Sequence, residues 1–397
     1  MNTDRILERL DRFEIEVPSW GFADTGTRFG KFLQPAAART IEEKLEDAGT
    51  VQHFTGCAPS VAVHVLWDLP ADRDPNDIAA LARENNVRIG SINPNLFQDQ
   101  IYKYGSAASP NPIAREAAEH HILDCIELGR KLGSNLLSLW FADGTNYPGQ
   151  DDLFRRKRAM QDALQRWHGL MPDSMTMLIE YKPFEPAFYH TDIADWGMAA
   201  TFARMAGPRA KVLVDTGHHL PGTNVEHIVA FLLDEDLLGG FHFNDRKYAD
   251  DDLTLGSIDP YAIFRVFVQM RIAEEVHGID TGHVVYMVDQ SHNLKPKVEA
   301  MIQTVCTAQE LLAKAWRVDL ASLLEAQGRM DIVGAEQILR TAFFADVAPL
   351  LAEWRAKHAR DPDPLAAYRQ SGIEPKRAAE RTARHRQSGG STSGSYA

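Results

Sequence analysis

Residues 239–252, GGFHFNDRKYADDD, decide how the rest of the chain is read. The segment 239–244 has the composition of a short buried strand, and its period of two turns His242 and Asn244 to the face opposite Phe241 and Phe243. A loop then brings Asp250, Asp251 and Asp252 in succession. One imidazole on a rigid strand, followed closely by carboxylates, is an oxygen-rich ligand set suited to magnesium or manganese more than to zinc. An Asp-rich loop is more often a solvated loop, so the flanking sequence has to decide.

Outward from this stretch, apolar runs of strand length alternate with amphipathic helices. Strands are expected at 14–20, 61–67, 87–93, 136–141, 175–181, 211–215, 239–244 and 284–289. Between them fall helices at 35–48, 72–86, 113–132, 151–170, 192–205, 225–236, 260–276 and 295–312, after a leading helix at 2–12. Eight such units over 397 residues suit an α/β fold, a (β/α)8 TIM barrel spanning 1–315. A doubly wound sheet is the main alternative; no GxGxxG follows the early strands, and polar residues recur at strand ends all the way round. After Leu312 only helices are expected, giving a C-terminal helical extension at 316–360 and a basic tail at 361–397. That tail reads as a solvated end, disordered over its final QSGGSTSGSYA. The segment 21–32, GFADTGTRFGKF, reads as a surface loop, a lid or a subunit contact.

A net charge of -13 argues against a nucleic-acid partner and favours recruitment of cations. Three widely separated cysteines without CxxC spacing fit a reducing, cytoplasmic setting. No apolar run approaches the ~20 residues needed to cross a bilayer, so no membrane association is expected.

In a barrel the reactive groups stand at the C-terminal ends of strands. In chain order these are Glu180, Asp215, His242 and Asp289, from four consecutive strands. Carboxylates converging there repel one another unless cations neutralise them. The four would form one protein-rich metal site, and His218, Asp250 and Asp252 a second, more open one, with Asp215 able to bridge the two. Gly217 would let the backbone return His218 to the same region. Each residue also has a bland role: Asp215 could cap the next helix, Glu180 could pair with Lys182, and Asp251 would face solvent.

Together IEYK (179–182), VDTGHH (214–219), HFNDRKYADDDL (242–253) and VDQSHN (288–293) resemble the xylose-isomerase-like barrel superfamily, and most closely the bacterial L-rhamnose isomerases of broad-specificity type. The resemblance covers nearly the whole chain. It implies a structural metal at Glu180, Asp215, His242 and Asp289, and a catalytic one at His218, Asp250 and Asp252. The cofactors implied are two divalent ions, manganese first, with cobalt, magnesium or zinc as alternatives. His64 resembles the histidine that contacts the sugar ring oxygen, although a hydrogen-bonded core histidine is its ordinary reading. Trp20, Trp67 and Trp140 resemble walls of the sugar pocket, and Phe29 a residue inserted into a neighbouring subunit of a homotetramer.

The activity implied is interconversion of L-rhamnose and L-rhamnulose by metal-assisted hydrogen transfer between C1 and C2. Lys182 would stabilise O1, and Asp250 or Asp252 would serve the hydroxyl proton. The rivals are a ketose 3-epimerase, a metal-dependent phosphodiesterase and a metal-stabilised binding protein.

Overall fold

The computed structural model describes residues 3–27, 30–70, 73–185, 189–248, 251–291 and 293–387. Eight parallel strands follow one another in sequence order around a barrel: β1 (Val17–Pro18), β2 (Ser60–His64), β3 (Arg88–Asn93), β4 (Leu136–Leu139), β5 (Thr176–Glu180), β6 (Ala210–Asp215), β7 (Leu238–Phe243) and β8 (Val285–Val288). Closure between β8 and β1 falls to Glu16, whose N–H donates to Tyr286 O at 2.8 Å and whose carbonyl accepts from Val288 N at 2.8 Å. The strands are apolar almost end to end because helices cover their outer face and side chains fill the interior. Every residue of β2 and β7 is buried.

Helices α2 (Ile41–Thr55), α3 (Pro75–Glu84), α4 (Pro112–Leu132), α5 (Leu153–Leu170), α6 (Trp196–Ala206), α7 (Val225–Asp234), α8 (Pro260–Val276) and α9 (Lys297–Trp316) follow the strands in turn, with α1 (Thr3–Asp11) ahead of β1. Most start at a side-chain cap, as Asn111, Asp152 and Asn224 do. The main core lies between strands and helices, while Leu178, Leu213 and Met287 form a smaller cluster of their own. One interior group is a carboxylate. Glu16 accepts from the Ser91 N–H at 3.1 Å and from its hydroxyl, and a Cβ on Gly90 would fall 1.3 Å from Glu16 Oε2, so only glycine leaves room for it.

Three expectations are corrected. The strand expected at 14–20 stops at Pro18, and Ser19–Phe22 turns as a 3-10 helix that carries Trp20 inward toward the strand ends. The helix expected at 35–48 begins at Ile41, because Thr40 Oγ1 caps it by accepting from Glu43 N at 3.3 Å.

The third concerns the tail, which is not a solvated end as far as it is described. Beyond α10 (Leu320–Gly328), α11 (Ile332–Phe343) and α12 (Ala348–Lys357), it forms α13 (Pro364–Ser371) and α14 (Ile373–Gln387). Arg377 and Arg381 on α14 are buried, and both donate to the fully buried carboxylate of Asp47 on α2 at 2.8 Å. A basic run reads as solvated when no acidic partner is near in sequence, and Asp47 lies more than 300 positions away. Phe29 lies outside the described residues; its neighbours Gly26–Thr27 and Gly30–Lys31 pair as a small antiparallel hairpin.

Candidate active site

The C-terminal ends of the strands open into a cavity of about 1100 Å³ bordered by Trp20, His64, Trp67, Trp140, Glu180 and Lys182, among others. Parallel pairing in register sets the floor: Asp215 stands beside His242, and Leu213 beside Glu180. Adjacent strands therefore deliver Glu180, Asp215 and His242 at similar height, and Asp289 follows directly after β8. One ligand atom from each of these four residues lies within 4.8 Å of all the others. His242 Nδ1 is 3.3 Å from Glu180 Oε1, 3.7 Å from Asp289 Oδ2 and 3.9 Å from Asp215 Oδ2.

The surroundings aim these groups. Gly217 N donates to Asp215 Oδ1 at 2.6 Å, and Asn244 Nδ2 donates to both Asp215 oxygens at 3.1 Å. Gly217 serves by absence of a side chain more than by backbone freedom, since a Cβ there would lie 2.3 Å from Asn244 Oδ1. Asp215 caps no helix; the N-cap of α7 is Asn224. Trp20 Nε1 donates to Asp289 Oδ1 at 2.8 Å.

Electrostatics at the cluster are those of trapped charge. Burial alone would raise Glu180, but His242 and then His218 outweigh it and hold the carboxyl at about 2. Burial, with Glu180 and Asp289 adding to it, pushes Asp215 up to about 7, and burial also raises Asp289. Burial would lower His242, yet Glu180, then Asp289 and Asp215, push it up to about 9. Glu180 Oε1 and both ring nitrogens of His242 are buried without a hydrogen-bond partner. Buried polar atoms seldom stay unsatisfied. Three carboxylates and one imidazole, with orphaned atoms facing one point, fit a divalent cation.

Among the described residues one such cluster is assembled. The second expected set is incomplete there, because Asp250 lies outside the described residues. Its other members border the same cavity: His218 Nδ1 lies 3.1 Å from both Glu180 Oε1 and Tyr181 O, and Asp252, at φ 46°, accepts from Ser291 Oγ at 3.0 Å. Asp251, expected to face solvent, is partly exposed at the rim of the cavity and accepts from the backbone of Lys247 and Tyr248.

Lys182 pairs with Glu185 Oε2 at 2.7 Å rather than with Glu180, and its ammonium lies 5.2 Å from the Trp140 ring centre. His64, the last residue of β2, lies under Trp67 with ring centres 3.9 Å apart, and Trp20 approaches edge-on at 5.6 Å. Burial lowers its imidazole to about 3, so it is neutral. Its Nδ1 has no partner, which departs from the satisfied core histidine considered as its ordinary reading.

Sequence reasoning passed over Phe97, Glu185 and Asn93. Asn93 ends β3 and borders the cavity, so the rule that found Asp215 would have found it. Phe97 sits in a loop and Glu185 in a two-residue strand, Phe184–Glu185, too short to carry a periodic signal.

Residues 45–292 match the family model described as xylose isomerase-like TIM barrel. The chain belongs to that family. Over 393 residues it is 39% identical to a protein of Rhizobium meliloti described as a "probable sugar isomerase", covering 96% of this chain and 90% of the relative. A protein of Mesorhizobium japonicum with the same description is 39% identical over 394 residues, covering 98% and 90%. Among solved structures, the D-allulose 3-epimerase of Methylomonas sp. superposes with a TM-score of 0.56 at 14% identity, covering 77% of this chain and 98% of that one. That likeness is one of fold. No helix among the described residues is long and apolar enough to cross a membrane.

Proposed function

We propose that this xylose-isomerase-like barrel is a metal-dependent aldose–ketose isomerase that interconverts L-rhamnose and L-rhamnulose and acts on related sugars. The observation that carries the reading is the convergence of Glu180, Asp215, His242 and Asp289 beside Lys182, in a cavity walled by Trp20, Trp67 and Trp140. The 39% identity to a "probable sugar isomerase" over nearly the full chain supports it. The resident ions are two divalent cations, manganese first, and the assembly is a cytoplasmic homotetramer.

Glu180, Asp215, His242 and Asp289 would hold one ion, with His218, Asp250 and Asp252 serving a second. A bound divalent ion supplies Lewis acidity that polarises the C1 carbonyl and acidifies the neighbouring hydroxyl. The remaining work belongs to the side chains. Lys182, held by Glu185, donates to O1 and stabilises negative charge developing there. Asp250 or Asp252 accepts the hydroxyl proton. His64, being neutral, donates one N–H to the ring oxygen without taking on charge, while the indoles cover the apolar face of the sugar. An aromatic wall accepts the C6 methyl of L-rhamnose and does not strongly reject a hydroxymethyl group, so activity on related aldoses is expected.

The test is to strip the protein of metal and incubate it with L-rhamnose, a ketohexose and a phosphodiester, with and without manganese. Rhamnulose formed only with manganese is the expected result. A 3-epimerised ketose in its place would assign the protein to epimerase chemistry, and no sugar product would overturn the reading. Asp215→Asn abolishes the metal-dependent activity if Asp215 is a ligand.

A further inference from the structure

Two polar side chains on the cavity wall, outside the metal cluster, share one arrangement. Each has one atom fixed by neighbours and the other left over. Asp24, in the loop after β1, is 7% exposed; its Oδ1 accepts from Gln34 N at 2.8 Å, while Oδ2 is buried with no hydrogen-bond partner. Gln98, in the loop after β3, accepts through Oε1 from Trp67 Nε1 at 2.6 Å and from Asn95 Nδ2 at 2.9 Å. Those two donors fix which way round the amide sits, and they leave Nε2 buried without a partner. Both residues border the cavity.

Leaving a buried acceptor and a buried donor unsatisfied is costly in the empty protein, and the cost is relieved when a ligand supplies the missing partners. The metal ligands come from β5 to β8, whereas Gln98 follows β3 and Asp24 follows β1. Gln98 holds Trp67, and Asp24 follows Trp20, whose indole reaches Asp289, so a sugar with C1 and C2 at the cluster and its apolar face on these indoles brings its remaining hydroxyls toward both groups.

We propose that Asp24 and Gln98 select the substrate by reading hydroxyl groups beyond C3, Asp24 as an acceptor and Gln98 as a donor. The proposal rests on the sugar reading above and adds the groups that choose among sugars. A site built to bond a hydroxyl discriminates against the analogue lacking it far more than an apolar wall discriminates by size. The aromatic walls thus tolerate variation at C6 while these two residues do not tolerate loss of an interior hydroxyl.

The test combines turnover with binding. With manganese restored, kcat/KM is measured for the parent aldose and its 4-deoxy and 5-deoxy analogues, and calorimetry follows the open-chain alditols of the same three, which cannot isomerise. The variants are Asp24→Asn, which keeps the Gln34 contact, and Gln98→Glu, which keeps the acceptor for Trp67 and Asn95 and removes the donor. Gln98→Met is a second form should the added charge disturb folding. Wild type is expected to bind at least one deoxy compound about tenfold more weakly than its parent. The matching variant erases that difference by weakening the parent alone. A variant that weakens parent and deoxy compounds equally reveals a structural role and overturns the proposal, as does a wild type that binds no alditol or does not discriminate. Selective alditol binding without turnover of any aldose would instead sink the isomerase reading and leave the hydroxyl reading standing.

Discussion

The indole of Trp20 donates to Asp289 Oδ1 at 2.8 Å, so a residue delivered by the turn after the first strand orients a carboxylate delivered by the last. The two are 269 positions apart and meet only because the barrel closes. Trp20→Phe keeps the aromatic wall and removes the donor. Loss of such a supporting bond is expected to weaken manganese binding on the order of 10-fold. Isothermal titration of the metal-stripped protein measures it, and an unchanged dissociation constant would show that Asp289 needs no such orientation.

Asn244 and Gly217 hold Asp215 from two directions. Gly217→Ala would push its Cβ to within 2.3 Å of Asn244 Oδ1 and displace the amide. Gly217→Ala and Asn244→Ala should therefore lower metal affinity by similar factors, and the double variant should be little worse than either, since both act through one contact. Additive losses would mean that the two residues act independently.

The metal-free cluster should make stability depend on pH with a defined sign. His242 has its folded value raised to about 9 from 6.5, so its contribution is complete below about pH 6.5 and is lost as pH rises through about 9. Asp215, raised to about 7 from 3.8, costs stability progressively as pH rises from about 4 to 7. Glu180, lowered to about 2 from 4.5, contributes above about pH 4.5 and loses that contribution only as pH falls through about 2. The two trends follow one another, Asp215 up to about pH 7 and His242 from about pH 6.5 to 9, so the metal-free protein weakens from about pH 4 up to about pH 9. A cation needs an unprotonated imidazole and ionised carboxylates, so its binding releases protons and tightens as pH rises. The rise in Tm on adding manganese should thus be larger at pH 8.5 than at pH 6. A shift that is equal or smaller at the higher pH would contradict this account of the cluster.

The C-terminal helix should be a stability element. Asp47 is fully buried and receives bonds from both Arg377 and Arg381. Arg381→Met leaves that carboxylate with one arginine and is expected to cost about 3 kcal/mol in urea unfolding, because a buried charge loses a partner. Removing the acid as well, in Asp47→Leu with Arg381→Met and Arg377→Met, should recover part of that loss. No recovery would mean that the arginines stabilise through packing and not through Asp47.

Should the chemistry be hydride transfer between C1 and C2, product formed in D₂O carries no solvent deuterium at the transferred position. Substantial incorporation, read by NMR, would point instead to a carboxylate base and an enediol.

The chain alone determined the alternation of strand and helix, hence the barrel, because periodicity is a local property of which face each residue buries. It also determined which residue types stand at the ends of β5 to β8, since strand ends can be located to within a residue or two. Folding decided everything that depends on partners distant in sequence. Glu16 closes the barrel, and Arg377 and Arg381 are buried rather than solvated because Asp47 lies across from them. The spacing of Glu180, Asp215, His242 and Asp289 within 4.8 Å is likewise a product of strand register and closure, which no sequence window contains. The leftover atoms of Asp24 and Gln98 appear only once Gln34, Trp67 and Asn95 have taken their neighbours, because an unsatisfied bond is a property of the whole packed site.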